Sequence, residues 1–183
     1  MFLKFHTEVA FHRWSMDYLM LYRLRQDPEK IAQTVIASVR RILPHLTLDQ
    51  RQRLSQFQFK TEVDLSFGGG DGPTVPVLYG DPSDPYLRYD EDFMKASTPE
   101  GERALDELRR AVYVERREIA IEAGDLVVID NRRDVHARSD FKAHYDGTDR
   151  WLLRLGVLRD LRPALDDCLS GTRIIARDRF TTL

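Results

Sequence analysis

Cysteine is all but missing from this 183-residue chain, in which Cys168 stands alone. No internal disulfide can form, and zinc sites built on cysteine are excluded, so any metal must be held by histidine and carboxylate. Long apolar runs are missing as well. No segment approaches the ~20 consecutive apolar residues that span a bilayer, and Met1 to Thr7 lacks the basic start, apolar middle and small-residue cleavage site of a secretory signal. Nor is there an excess of either charge, with 28 Lys and Arg against 30 Asp and Glu. The arginines are spread along the chain, which argues against nucleic acid as a partner. These absences predict a soluble, cytoplasmic protein with no membrane partner, and a lone thiol fits a reducing compartment.

What is present suits one globular domain over residues 1–183, with 42% hydrophobic and 32% charged residues and no internal repeat. Tyr18 to Arg25 reads as a strand. Glu29 to Leu43 reads as a helix with Ala32, Val35, Ile36, Val39 and Leu43 on one face, Asp27 and Pro28 at its start and Pro44 at its end. A short polar helix is expected from Thr47 to about Gln56. The run Gly68-Gly69-Gly70-Asp71-Gly72 interrupts the chain as a connector or a loop closing over a site, and it lacks the Lys-Ser/Thr ending of a phosphate-binding loop. Short strands are expected at Val75 to Tyr79, Tyr86 to Tyr89, Glu118 to Glu122, Leu126 to Asp130 and Arg150 to Leu158. Thr98-Pro99-Glu100 opens a helix that buries Leu105, Leu108 and Val112. Short strands with helices to one side predict a mainly β fold with flanking helices, a sandwich or jelly roll.

Chemistry concentrates in two places. His6 and Glu8, two apart, would share one face of a strand and offer an imidazole and a carboxylate to one metal, although such a tripeptide is also an ordinary polar surface. His136, just after the Leu126 to Asp130 strand, supplies a second imidazole. Two histidines and one carboxylate with open positions are the ligand set of non-haem Fe(II) oxygenases. Arg150 and Arg154 share one face of their strand with Leu152 between them, while Trp151, Leu153 and Leu155 take the other. Either the arginines point inward to meet an organic acid, or they face solvent while the apolar residues fill the core.

Longer segments carry a resemblance. His6-Thr7-Glu8-Val9-Ala10-Phe11-His12, with Asp17-Tyr18-Leu19 and Leu24-Arg25-Gln26-Asp27, resembles the segment around the first two iron ligands of clavaminate synthase-like Fe(II)/2-oxoglutarate oxygenases. This group, related to TauD, includes the L-asparagine and L-arginine β-hydroxylases. Gly124 to Arg132, Val135-His136-Ala137-Arg138 and Tyr145 to Leu152 are similar to their second block, and the matches run through almost the whole chain. The resemblance implies a double-stranded β-helix in which His6, Glu8 and His136 hold Fe(II), Arg150 and Thr34 bind 2-oxoglutarate, and O2 is consumed. It further implies that Arg154 takes the α-carboxylate of an amino-acid substrate, free or carrier-bound, with Asp90 and Glu8 beside it, and that succinate and CO2 are co-products. An acid at Asp90 favours a guanidinium or carboxamide side chain, arginine- or asparagine-like, because a carboxylate only accepts hydrogen bonds.

His6 lies almost at Met1, whereas members of the group carry a substantial portion before this motif. The resemblance therefore implies a fold incomplete at its N-terminus, prone to self-association or completed by a second chain. The alternative reading is a catalytically silent fragment or a subunit of a split oxygenase. His12 is expected to be structural, His45 and His144 surface residues, and Cys168 a packed small side chain.

Overall fold

The computed structural model of the chain describes residues 2–175. Its elements run β1 (Leu3–His6), β2 (Tyr18–Arg25), β3 (Thr34–Ser38), α1 (Val39–Ile42), α2 (Leu48–Leu54), β4 (Phe59–Glu62), β5 (Asp71–Val75), β6 (Leu78–Tyr79), β7 (Tyr86–Leu87), β8 (Met94–Ala96), α3 (Pro99–Glu115), β9 (Arg117–Ile119), β10 (Leu126–Asp130), β11 (Asp134–Arg138) and β12 (Trp151–Val157). Two antiparallel sheets carry the architecture, one in the order β1-β11-β3-β9 and one in the order β10-β2-β12; small sheets β5-β4-β8 and β6-β7 complete it.

The period-two alternation of the strands sorts each sheet into two faces. In the four-stranded sheet Phe5, Val35, Ala37, Val135 and Ala137 join the main core, where they meet Leu105, Leu108, Ala111 and Val112 of α3. His6, Thr34, Ile36 and His136 occupy the alternate positions. A second apolar cluster of Leu19, Leu21 and Ile129 packs with Ile36, Val127 and Leu152, tying the two sheets together. Between the sheets lies a cavity of about 400 Å³ lined from both sides, by Leu19, Leu21, Leu152 and Arg154 of one sheet and by Thr34, His136 and Arg138 of the other. The predicted mainly β fold with flanking helices is what forms.

The outer face of the three-stranded sheet is bare. Tyr22, Leu24, Leu126, Val128, Leu153 and Leu155 are all exposed, and the register sets Tyr22 between Leu126 and Leu153. A contiguous exposed apolar sheet face of this extent is unusual on a monomeric surface.

The local signals hold best where a cap decides the element. Thr98 accepts a hydrogen bond from the Gly101 N–H at 3.1 Å, Pro99 opens α3 and Glu100 and Glu102 fill its first turn. Thr47 and Gln50 form a reciprocal capping box at α2, inside the expected Thr47 to Gln56 stretch. The expected helix from Glu29 to Leu43 does not form. Thr34–Ser38 is a strand paired with β11 and β9, and only Val39–Ile42 is α-helical. A strand buried on both faces shows a continuous apolar run, which periodicity alone cannot tell from a helix, and β-branched Thr34, Val35 and Ile36 favour the strand. Asp27 is accordingly a turn residue, its carboxylate accepting from the Ile31 and Ala32 N–H groups at 3.0 and 2.9 Å. The expected Val75 to Tyr79 strand is split, Val75 ending β5 and Leu78–Tyr79 forming β6. Tyr18–Arg25 and Leu126–Asp130 form as expected, while three further expected strands become Tyr86–Leu87, Arg117–Ile119 and Trp151–Val157.

Candidate functional site

Register brings the two histidines together. On neighbouring strands β1 and β11, His6 lies directly opposite His136, and Asp90 bridges His6 on its other side. The imidazole rings are 4.3 Å apart between centroids. The carboxylate Oε2 of Glu8 sits 3.4 Å from Nε2 of His136 and 4.0 Å from Nε2 of His6. One ligand atom from each of the three residues falls within 4.8 Å of the others. The Nδ1 of His6 is 2.8 Å from the carbonyl of Lys4, a contact that turns Nε2 toward the cluster. Two imidazoles and a carboxylate converging in this way suit a divalent transition metal with open positions, and the donor set fits Fe(II).

Glu8 reaches the cluster by a route that strand alternation does not supply, because β1 ends at His6. The side chain of buried Asn131 stands in for a strand partner: its Oδ1 accepts from the Glu8 N–H at 2.6 Å and its Nδ2 donates to the Glu8 carbonyl at 3.1 Å. Nδ2 also meets the Met16 carbonyl at 3.0 Å, while Ser15 Oγ donates to the Glu8 carbonyl at 2.9 Å. Thr7, between the ligands, is tied by its N–H to the Tyr89 carbonyl at 2.8 Å. Burial works against ionisation of Glu8, but His136, Arg154 and His6 outweigh it and hold the carboxyl below its usual range. Burial pushes His136 down, which keeps its imidazole neutral and free to bind metal.

The cluster stands between two recesses. The 400 Å³ cavity holds Glu8 and His136 together with Thr34, Arg138, Phe141 and Arg150. Arg138 and Arg150 both lie over the Phe141 ring, at 4.8 and 5.3 Å from its centroid. The Arg150 guanidinium is driven down to about 10, first by burial and then by the charges of Arg23 and Arg138. A smaller recess of about 160 Å³ holds His6, Glu8, Asp64, Asp90, Phe93 and Arg154. Arg154 lines both and donates to Glu8 Oε1 at 2.7 Å.

Residues 1–155 match the family described as taurine catabolism dioxygenase TauD, TfdA family. The chain belongs to this family. It is 39% identical over 163 residues to clavaminate synthase 2 of Streptomyces clavuligerus, covering 86% of this chain and 50% of that protein. It is 43% identical over 168 residues to the L-asparagine oxygenase of Streptomyces coelicolor, covering 87% and 49%. Among solved structures, asparagine oxygenase in complex with Fe(II), 2S,3S-3-hydroxyasparagine and succinate superposes with a TM-score of 0.91 at 38% identity, covering 96% of this chain and 56% of that one. The non-haem iron oxygenase OrfP, in complex with Fe, succinate and (3S)-hydroxy-L-Arg, gives 0.85 at 31% identity, covering 96% and 58%. The chain spans about half the length of the curated relatives it matches.

Within this TauD-family chain the fold places every expected site residue beside the cluster. Thr34, expected in a helix, is a buried strand residue on the cavity wall. Asp90 combines two roles: its Oδ1 accepts from the Asp92 and Phe93 N–H groups at 3.0 Å, as a turn residue would, and it lines the smaller recess. Burial pushes the Asp90 carboxyl up, against the pull of His6. Of the two readings of β12, the inward arginines prevail, since Leu153 and Leu155 are exposed while Leu152 faces the cavity. Trp151 departs from the expected alternation: it lines the cavity mouth while 55% exposed, beside a register shift that leaves Leu24 of β2 as the extra residue.

The remaining histidines lie outside the cluster. Buried His12 accepts through Nδ1 from the Trp14 N–H at 3.0 Å, and His45 and exposed His144 pair with Glu115 and Glu29. Cys168 is half-buried. The glycine run closes a turn and leads into β5, with Gly68, Gly69 and Gly70 all at positive φ. The residue least visible beforehand is Asn131. In sequence it reads as the first residue of an Asn-Arg-Arg turn, and only its place after a strand paired beside β2 turns its amide toward Glu8.

Proposed function

We propose that this chain forms the iron and co-substrate site of an Fe(II)/2-oxoglutarate-dependent hydroxylase acting on an amino acid, arginine- or asparagine-like, free or carrier-bound, in the cytoplasm. The observation that carries the reading is the convergence of His6, Glu8 and His136 at the edge of a cavity lined by Thr34 and Arg150. His6, Glu8 and His136 would hold the metal. Bound Fe(II) with 2-oxoglutarate and O2 supplies the oxidation that yields succinate and CO2 and hydroxylates a C–H bond. Arg150 would hold the distal carboxylate of the keto acid with its planar fork, helped by the Thr34 hydroxyl. The apolar walls Leu19, Leu21 and Leu152 keep water from this end of the cavity and strengthen that pairing. In the smaller recess Arg154 and Asp90 would take the α-carboxylate and the side-chain donors of the substrate, orienting one carbon toward the metal.

An anaerobic titration of the purified chain with Fe(II) and 2-oxoglutarate tests this. The expected result is the visible charge-transfer band of a chelated keto acid, lost in His136→Ala and in Arg150→Ala, followed by succinate release with an amino-acid panel led by arginine and asparagine. Folded protein that binds Fe(II) and 2-oxoglutarate with no such band would overturn it.

The bare sheet face favours a second element of the proposal, that the chain works together with further polypeptide covering Tyr22, Leu126, Leu153 and Leu155. The expectation is self-association of the chain alone in sedimentation velocity, reduced by Leu153→Lys with Leu155→Glu. A wild-type chain that is monomeric and soluble at high concentration would refute it.

A further inference from the structure

Arg23 is a charged residue on the inner face of the three-stranded sheet whose donors are not fully used among the described residues. Its exposure is 2%, and its Nε and Nη2 are buried without a hydrogen-bond partner among the described residues. A structural arginine at such depth ordinarily spends its donors on carbonyls or carboxylates, because a buried unpaired charge is strongly unfavourable. Two acids act on it electrostatically, Asp27 and Asp125, and Asp27 acts on Arg150 as well, but the hydrogen bonds these carboxylates accept come from backbone N–H groups. Asp27 accepts from the Ile31 and Ala32 N–H groups, and Asp125 accepts from the Glu122 N–H at 2.8 Å.

Position connects Arg23 to the co-substrate cavity. Its neighbour on the same face of β2, Leu21, and its cross-strand partner on β12, Leu152, both line that cavity. Arg150 belongs to the same wall, and Arg23 is the strongest of the charges acting on it. Arg23 thus adds a positive charge behind the wall that carries Arg150, a placement that an anion bound at Arg150 would further stabilise.

Resting on the keto-acid site proposed above, we propose that Arg23 is a second cationic determinant of co-substrate binding, which with Arg150 makes the cavity select a keto acid carrying a distal carboxylate. Arg23 acts through the local potential and the position of Arg150, and it takes no part at the metal.

The test compares wild type, Arg23→Met and Arg23→Lys in the intact chain. Dissociation constants come from the anaerobic charge-transfer titration with Fe(II), using 2-oxoglutarate and, as a probe without the distal carboxylate, 2-oxobutanoate. For Arg23→Met the constant for 2-oxoglutarate should rise on the order of 10-fold while that for 2-oxobutanoate stays within about 2-fold. Arg23→Lys, which keeps the charge, should recover most of the loss. The ligand-free Met variant should melt higher than wild type, since a packed apolar side chain relieves a buried unpaired charge. Equal weakening of both keto acids, no weakening, or a Met variant that melts lower or does not fold would mark Arg23 as structural and overturn the proposal. A wild-type band with unchanged variants would sink Arg23 alone, whereas a folded wild type that binds both components without a band would sink the keto-acid site and this inference with it.

Discussion

Asn131→Ala isolates the support of Glu8 from its ligand atoms. The substitution removes the acceptor of the buried Glu8 N–H and the donor shared by the Glu8 and Met16 carbonyls. An orphaned buried N–H costs about 1–3 kcal/mol, and the lost donor contacts add roughly 1 kcal/mol, because the Glu8 carbonyl keeps its bond from Ser15. The sum, about 2–4 kcal/mol, corresponds to a Tm lower by roughly 5–15 °C in a domain of this size. Metal affinity should fall about 10–100-fold, the usual loss when a ligand's supporting hydrogen bond is removed. Thermal melting of the metal-free chain reads the first quantity and an anaerobic Fe(II) titration the second. Asn131→Asp is the informative partner: it keeps the acceptor for Glu8 N–H but sets a carboxylate against two carbonyl oxygens, so its deficit should shrink as the pH is lowered. An Ala variant that melts within about 1 °C of wild type and binds Fe(II) equally well would refute the assignment.

Thr34→Val, nearly isosteric at a buried strand position, should leave Tm almost unchanged while raising the 2-oxoglutarate dissociation constant about 3–10-fold, the value of one hydrogen bond. Arg154→Ala should change stability by less than about 1 kcal/mol, since its side chain is 58% exposed despite the Glu8 contact, yet raise KM for an amino-acid substrate at least about 10-fold. Both are read by melting and by titration or turnover. Asp84 is held far below the usual carboxylate range by hydrogen bonds from Arg40 and Arg133, so its contribution is fully present above about pH 3.9 and is lost as the pH falls toward its depressed value. The Tm difference between wild type and Asp84→Asn should therefore be constant above about pH 5 and shrink in acid; a difference that grows on acidification would contradict the sign.

How much could be read beforehand depended on whether a signal was local. Thr98-Pro99-Glu100 and Thr47 announced α3 and α2 because each cap satisfies backbone groups only three residues away. The segment from Thr34 to Ser38 misled because its partners, β11 and β9, lie some 80 to 100 residues on, and a strand buried on both faces loses the alternation that would mark it. The register shift beside Trp151 had no local marker either.

The same division runs through the candidate site. The sequence by itself determined the family and named the candidate ligands and arginines, because these reside in side-chain chemistry and its order along the chain. Tertiary structure alone decided that His6 faces His136 across two strands, that Asn131 fastens Glu8 beyond the end of β1, and that Arg23 lies buried opposite Leu152. Those facts follow from strand register and from which face a sheet buries, quantities fixed by pairing between distant segments.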